Sequence, residues 1–404
     1  MIVDTAKDLC QKLAPEINEK KANALWLSYL SEDNKKEKEE LVNQLQLLVV
    51  KKLGVDFKDD LILLPPSSKK DAYGKGHIYL GDIHYGRENK NSKKKYPLYI
   101  NLEELSNHAV ITGMSGWGKS EISKTIATGL LKQKIPFLVF DPDRSWRSLL
   151  TLPKDKYPEA QEIQIFTFGR DIAPLCWNWL FSPPPGVKFS TWLAIVTSTP
   201  LEASEISGPG SGTCIEDKAL EAIEKFKSGE LKILPNTELI KKLLKEDYNV
   251  RGRKMLWAQT VERITKSLTR EPVWKNFNST EPMDLSKMLT RPTIIEIDKE
   301  TSPKHAVLFK WLITLWIIVY RLRQGEAKEG RLNHVCFFDD FSEMLPQGHE
   351  KEIGNNTISI LFRELRKFGE GLVAILQEPS ILPNYVLANC RIHIHFAVQT
   401  KKDI

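Results

Sequence analysis

Cysteine is scarce in this chain and follows no pattern. Its five residues (Cys10, Cys176, Cys214, Cys336 and Cys390) are scattered, odd in number and without C-x-x-C spacing. That excludes a disulfide framework and a zinc ribbon, and points to reduced thiols in a cytoplasmic protein. A secretory leader is missing from the opening residues, where Asp4, Lys7 and Asp8 already stand. A long apolar run is missing too. The most apolar stretch, Val307–Tyr320, contains Lys310 and falls short of the about 20 residues that span a bilayer. It is expected to be a buried core helix, with no membrane segment in the protein. Nor is there a large net charge: the formal value is +6. This permits a nucleic-acid partner without requiring one, so local clusters decide more than the total.

What is present is enough chain for two or three units and, at 41% hydrophobic residues, for a large core. Residues 1–66 read as a helical accessory domain. Leu9, Leu13 and Ile17 fall at helical spacing, as do Leu41, Leu45 and Leu48, and the polar stretch Ser31–Glu40 between them suits a solvated helix surface or a connecting loop. Residues 67–100 read as a basic linker and a short β segment, with strand-like pieces at His77–Gly81 and Tyr96–Ile100. Between those pieces lie Arg87, Lys90, Lys93, Lys94 and Lys95. They suit a phosphate-backbone contact and a solvated hairpin tip equally.

From residue 101 to 404 a different rhythm sets in. Seven apolar runs alternate mostly with helical stretches: Ala109–Thr112, Pro136–Asp141, Ile163–Phe168, Thr293–Asp298, His334–Asp339, Leu372–Gln377 and Ile392–Val398. This predicts an α/β fold with a mostly parallel sheet covered by helices on both faces. Residues 182–282 break the rhythm. They open with Pro183-Pro184-Pro185-Gly186 and contain helical patterns at Asp217–Phe226 and Leu239–Leu244, as a helical insertion would.

The strongest signal is Gly113-Met114-Ser115-Gly116-Trp117-Gly118-Lys119-Ser120, which fits G-x-x-x-x-G-K-[ST]. An apolar strand precedes it and a helix pattern from Glu121 follows, the context of a phosphate cradle. Glycines 113, 116 and 118 let the backbone amides turn inward, and the positive end of the helix adds to them. Lys119 is expected to reach the β- and γ-phosphates of ATP, and Ser120 to complete a magnesium shell. Ser115, Trp117 and Glu121 belong to the same binding stretch. Trp117 is unusual there and suits either a place over the nucleotide or a contact with a neighbouring subunit.

The strand His334–Phe338 ends in Asp339-Asp340. Asp339 is expected to hold the magnesium shell. Asp340 is placed to orient or deprotonate the attacking water, with Glu343 one turn further on as a substitute. Gln377 ends another buried strand and is placed to sense the γ-phosphate or the water. Arg363 and Arg366, just before that strand, suit either a helix-end role or a reach to the nucleotide of a neighbouring subunit.

In this order, His108–Gly113 with its cradle, Phe338-Asp339-Asp340, Arg363–Gly369 and Gln377-Glu378-Pro379-Ser380 resemble the HerA/FtsK superfamily of P-loop ATPases, closest to its HerA branch. The entry segment Leu102–His108 resembles that branch as well. The resemblance covers roughly residues 77–404 and implies a RecA-like fold, ATP hydrolysis with Mg2+, and a homo-hexameric ring. It also implies movement along double-stranded DNA beside a nuclease or other effector, in end processing or antiviral defence. The family's acidic pair is Asp-Glu, whereas this chain has Asp339-Asp340. That difference favours a rival reading, an ATP-binding ring platform with weak hydrolysis. A conjugation- or secretion-type ATPase is a further one.

Overall fold

The computed structural model describes residues 2–32, 34–53, 76–83, 97–198, 201, 210–246, 253–281, 283–328, 331–345 and 357–396. The chain divides between Ile100 and Asn101 into two compact units.

The first unit holds three helices, α1 (Ile2–Ile17), α2 (Glu19–Ser31) and α3 (Lys35–Leu53), and a two-stranded antiparallel sheet, β1 (Ile78–Asp82) with β2 (Pro97–Ile100). Leu9 and Leu13 of α1, Tyr29 of α2 and Leu45 and Val49 of α3 share one core, as their helical spacing requires. Asn18 caps α2, its side-chain oxygen accepting from the Lys20 amide at 3.1 Å. Part of the polar stretch Ser31–Glu40 is the opening of α3 rather than loop. The basic cluster from Arg87 to Lys95 and the run Leu61–Pro66 lie outside the described residues.

The second unit opens on α4 (Leu102–Ser106), where Glu104 reaches back to the Asn101 amide at 2.8 Å. There follow β3 (Ala109–Thr112), α5 (Lys119–Lys132), β4 (Phe137–Asp141) and β5 (Gln164–Phe168). The insertion supplies α6 (Phe189–Val196), α7 (Ser211–Lys227), α8 (Thr237–Glu246) and α9 (Arg253–Leu268). Then come β6 (Thr293–Ile297), α10 (Pro303–Gln324), β7 (His334–Phe338), α11 (Thr357–Glu364), β8 (Glu370–Leu376), α12 (Asn384–Asn389) and β9 (Ile392–His395).

Each of the seven apolar runs contains a strand, and the last two residues of the Ile392–Val398 run lie outside the described residues. The strands form one sheet in the order β5-β6-β4-β7-β8-β3-β9, and every neighbouring pair is parallel. The five inner strands are buried along their whole length, whereas the edge strands β5 and β9 are only partly so. Burial on both faces is why these strands read as continuous apolar runs and not as alternating ones. Sequence order does not match spatial order, because β8 enters between β3 and β7.

The run Val307–Tyr320 lies inside α10. By length and composition α10 could cross a membrane, yet every residue from Ala306 to Ile318 is buried in the unit. The insertion is tied on by a side-chain amide. Asn276 is fully buried, accepts from the Gly169 amide at 3.0 Å and donates to the carbonyls of Thr167 and Leu175 at 3.1 Å each.

At the amino end of the sheet, Glu370 is buried at the start of β8. Its two oxygens meet His334 Nδ1 at 2.5 Å and Arg321 Nε at 2.7 Å, and the Cys336 thiol donates to it at 3.2 Å. Burial alone would raise this carboxyl, but the charges and hydrogen bonds of His334 and Arg321 hold it at about 2.

Candidate functional site

The carboxyl ends of β3, β4, β7 and β8 lie along one edge of the sheet, where ligands of open parallel sheets bind. From Thr112 the chain passes into residues 113–118. Gly116 (φ 80°) and Gly118 (φ 98°) take left-handed dihedrals that glycine adopts at little cost. Gly113 is needed for a second reason: a Cβ there would stand 2.5 Å from Phe396 Cβ. Phe396 follows β9, donates its amide to the Thr112 carbonyl at 2.8 Å and lies against the loop.

Helix α5 begins at Lys119, so its free first-turn amides meet the loop. Lys119 Nζ curls over the loop and donates to the carbonyls of Gly113 (2.6 Å) and Met114 (2.9 Å). Burial makes this ammonium easier to deprotonate, against the charges of Asp339 and Asp340, which favour it. Ser120 is half-buried in the first turn of α5, while Ser115 and Glu121 are exposed. Glu121 pairs with Lys124 at 2.9 Å. Trp117 is 53% exposed at the crest of the loop.

Asp339 and Asp340 follow β7, two strands from the loop. Asp339 is buried, and Trp146 donates its indole N–H to Asp339 Oδ2 at 3.2 Å. Burial pushes the Asp339 carboxyl up to about 6; the Trp146 hydrogen bond works against this, and the charges of Asp340, Asp141 and Asp143 work with it. Asp340 is left-handed (φ 56°, ψ 51°) and precedes the turn Phe341–Met344. Its carboxyl is raised by burial first and by the Glu343 charge next, against the cations Lys310 and Lys119. Thus the loop lysine and both acids, some 220 residues apart, share one electrostatic neighbourhood. Surplus negative charge beside a hydroxyl and a carboxylate is the donor set that a hard divalent cation fits.

Gln377 is exposed just past β8, whose Leu376 lies in register with Thr112. It therefore flanks the start of the loop. Arg363 and Arg366 are not brought to this edge. They precede the seven-residue β8, so its length of roughly 20 Å separates them from the cradle of their own chain. Arg363 pairs with Glu364 at 3.0 Å. Arg366 lines a cavity of about 700 Å³ at the amino edge with Lys328, Lys367, Arg391, Glu103 and Glu326.

Sequence reasoning missed the loop after β4. Asp141 is fully buried and accepts from the amides of Asp143 (3.1 Å), Ser145 (3.2 Å) and Trp146 (3.0 Å). That loop aims Trp146 at Asp339. The available signal was an apolar strand ending in Asp141-Pro142-Asp143, a second acidic strand end. Arg144 and Arg170, which both pair with Asp298 at this edge, were missed as well.

The model of the family described as Helicase HerA, central domain, matches residues 83–307, more than half of the chain. No curated protein matches it. Among solved structures, the fold is similar to VirB4 of Thermoanaerobacter pseudethanolicus, with a TM-score of 0.55 at 13% identity over 81% of this chain and 86% of that one. It is similar to the bacterial conjugative coupling protein TrwB in its unbound form, with a TM-score of 0.51 at 13% identity over 71% and 68%. The plasmid coupling protein TrwB in complex with ADP and Mg2+ gives a TM-score of 0.51 at 12% identity over 72% and 70%.

Proposed function

The chain belongs to the HerA helicase central-domain family, and from that premise we propose that it is an ATP-hydrolysing motor. It moves along double-stranded DNA as a homo-hexameric ring and works with a nuclease or other effector protein. One observation carries this reading: Lys119, Asp339 and Asp340 gather at the carboxyl edge beside a glycine loop that opens a helix.

In this reading Gly113, Ser115, Gly116, Trp117, Gly118, Lys119, Ser120 and Glu121 form the nucleotide stretch. Lys119 leaves the loop carbonyls for the β- and γ-phosphates. Ser120 and Asp339 hold Mg2+, which when bound neutralises charge developing on the phosphates. Asp340 orients the attacking water and takes up its proton. Gln377 hydrogen-bonds near the γ-phosphate. Arg363 and Arg366 lie too far from their own chain's cradle, so either serves only a neighbour's, and Arg366, in its basic cavity, is the better placed. TrwB, a fold neighbour, is described in complexes with an ATP analogue and with ADP and Mg2+, which supports both ligands.

Phosphate release with and without duplex DNA tests the motor. A motor speeds up on DNA, whereas ATP binding with turnover indifferent to DNA selects the ring platform instead. The likeness to a conjugative coupling protein supports a third reading, a conjugation-type ATPase docked at a membrane. Flotation with liposomes would select that one.

A further inference from the structure

Helix α10 presents an anomaly that the proposed reaction does not use. From Ala306 to Ile318 its buried residues are apolar except for Thr314 and Lys310. Lys310 is 1% exposed, and a buried ammonium is destabilising unless it is well paired. Its Nζ donates to Glu343 Oε2 at 2.6 Å. Glu343 belongs to the turn Phe341–Met344, and its side chain is 43% exposed, so the carboxylate reaches inward from the surface to meet the lysine.

Asp340 immediately precedes that turn. The Glu343 amide donates to the Asp340 carbonyl at 3.2 Å, and Asp340 itself sits at φ 56°, a conformation that L-residues rarely adopt. Phe341 anchors one side of the turn, its ring 5.7 Å from Phe338 and 5.6 Å from Phe362. On the Glu343 side the anchor is the ion pair. The charges that bear on Asp340 include the cations Lys310, Lys119 and Lys299 and the anions Glu343, Asp143 and Asp339.

We infer that Lys310 is a positioning residue for ATP hydrolysis, holding Glu343 so that the turn keeps Asp340 in its left-handed place beside Lys119. The inference rests on the ATPase reading above. A lysine kept only for stability would be a poor choice here, because buried ion pairs are often replaced by apolar residues without loss. A geometric task at the acid turn accounts for keeping it.

The test uses the full chain with saturating Mg-ATP, and measures kcat beside nucleotide affinity from a fluorescent ATP analogue. Lys310→Met and Glu343→Gln are each expected to lower kcat by about tenfold or more while affinity stays within about twofold. The double variant is expected to be no worse than either single one, since both break the same tie. Unchanged kcat in folded Lys310→Met overturns the inference, as does additive loss in the double variant. If Glu343 were itself the base, freeing it from Lys310 would leave kcat intact or raise it. Should Lys310→Met fail to fold, full kcat in Glu343→Gln, altered at a half-exposed side chain, also overturns it. A wild type that binds ATP but hydrolyses none defeats the ATPase reading itself, and the positioning role goes with it.

Discussion

Trp146 donates its indole N–H to Asp339 Oδ2 at 3.2 Å from a loop 193 residues earlier in the chain. The contact fixes one carboxylate oxygen. It also favours the ionised carboxylate, against the burial that pushes this group up to about 6. Trp146→Phe keeps an aromatic ring beside Phe337 and removes the donor. The Asp339 carboxyl then rises further, so at neutral pH more of it is protonated and magnesium binds more weakly. The Mg2+ concentration giving half-maximal ATP turnover is expected to rise about fivefold or more. A wild-type magnesium titration in the variant would remove Trp146 from this role.

Lys119 and Asp340 are expected to fail differently. Lys119→Ala removes the loop's cation, so binding of a labelled nucleotide should be lost or turnover abolished. Asp340→Asn keeps shape and removes basicity, so binding persists while turnover drops by about 10²- to 10⁴-fold. Undiminished turnover in Asp340→Asn would shift the base to Glu343 or elsewhere.

The distance between cradle and arginine within one chain gives a complementation test. Arg366→Ala should lower turnover by about 10³-fold or more, as Lys119→Ala does by another route. Mixed oligomers of the two variants should regain part of the activity, because some interfaces join an intact cradle to an intact arginine. No recovery, with mixing verified by mass, argues against Arg366 acting between subunits.

Acid should unfold the second unit through Glu370. Its folded value of about 2 lies below its ordinary 4.5. A depressed carboxylate contributes stability above pH 4.5 that is lost as pH falls from there towards 2. His108 adds an earlier loss: burial lowers it from 6.5 to about 4, so the neutral ring favours folding above pH 6.5 and that share goes as pH falls towards 4. Glu370→Gln should cost roughly 3–5 kcal/mol near pH 7. The gap in melting temperature from wild type should close on acidification below pH 4.5. A gap independent of pH would show that the loss is packing alone.

The sheet was legible because its strands are buried on both faces: His334–Phe338 and Leu372–Leu376 read as unbroken apolar runs. The cradle was legible because its glycines, lysine and serine lie within eight consecutive residues. Trp146 was not, since an indole aimed at Asp339 is a matter of tertiary placement and its own neighbours, Ser145 and Arg147, look like ordinary surface. Lys310 was read only as an interruption of an apolar run, although that interruption is where the ion pair with Glu343 sits. Glu370 was taken into no strand, because an acid at a strand's first position looks solvated until His334 and Arg321 are seen around it.

The two ends of the central sheet are unlike: one carries Lys119 and its acids, the other Arg366 and its basic hollow. Such a molecule has a front and a back. Two copies joined front to front would leave both basic hollows unused, and back to back would leave both phosphate loops alone. Only front-to-back contact matches unlike surfaces, and contacts of that kind either close into a rotational circle or run on as a filament.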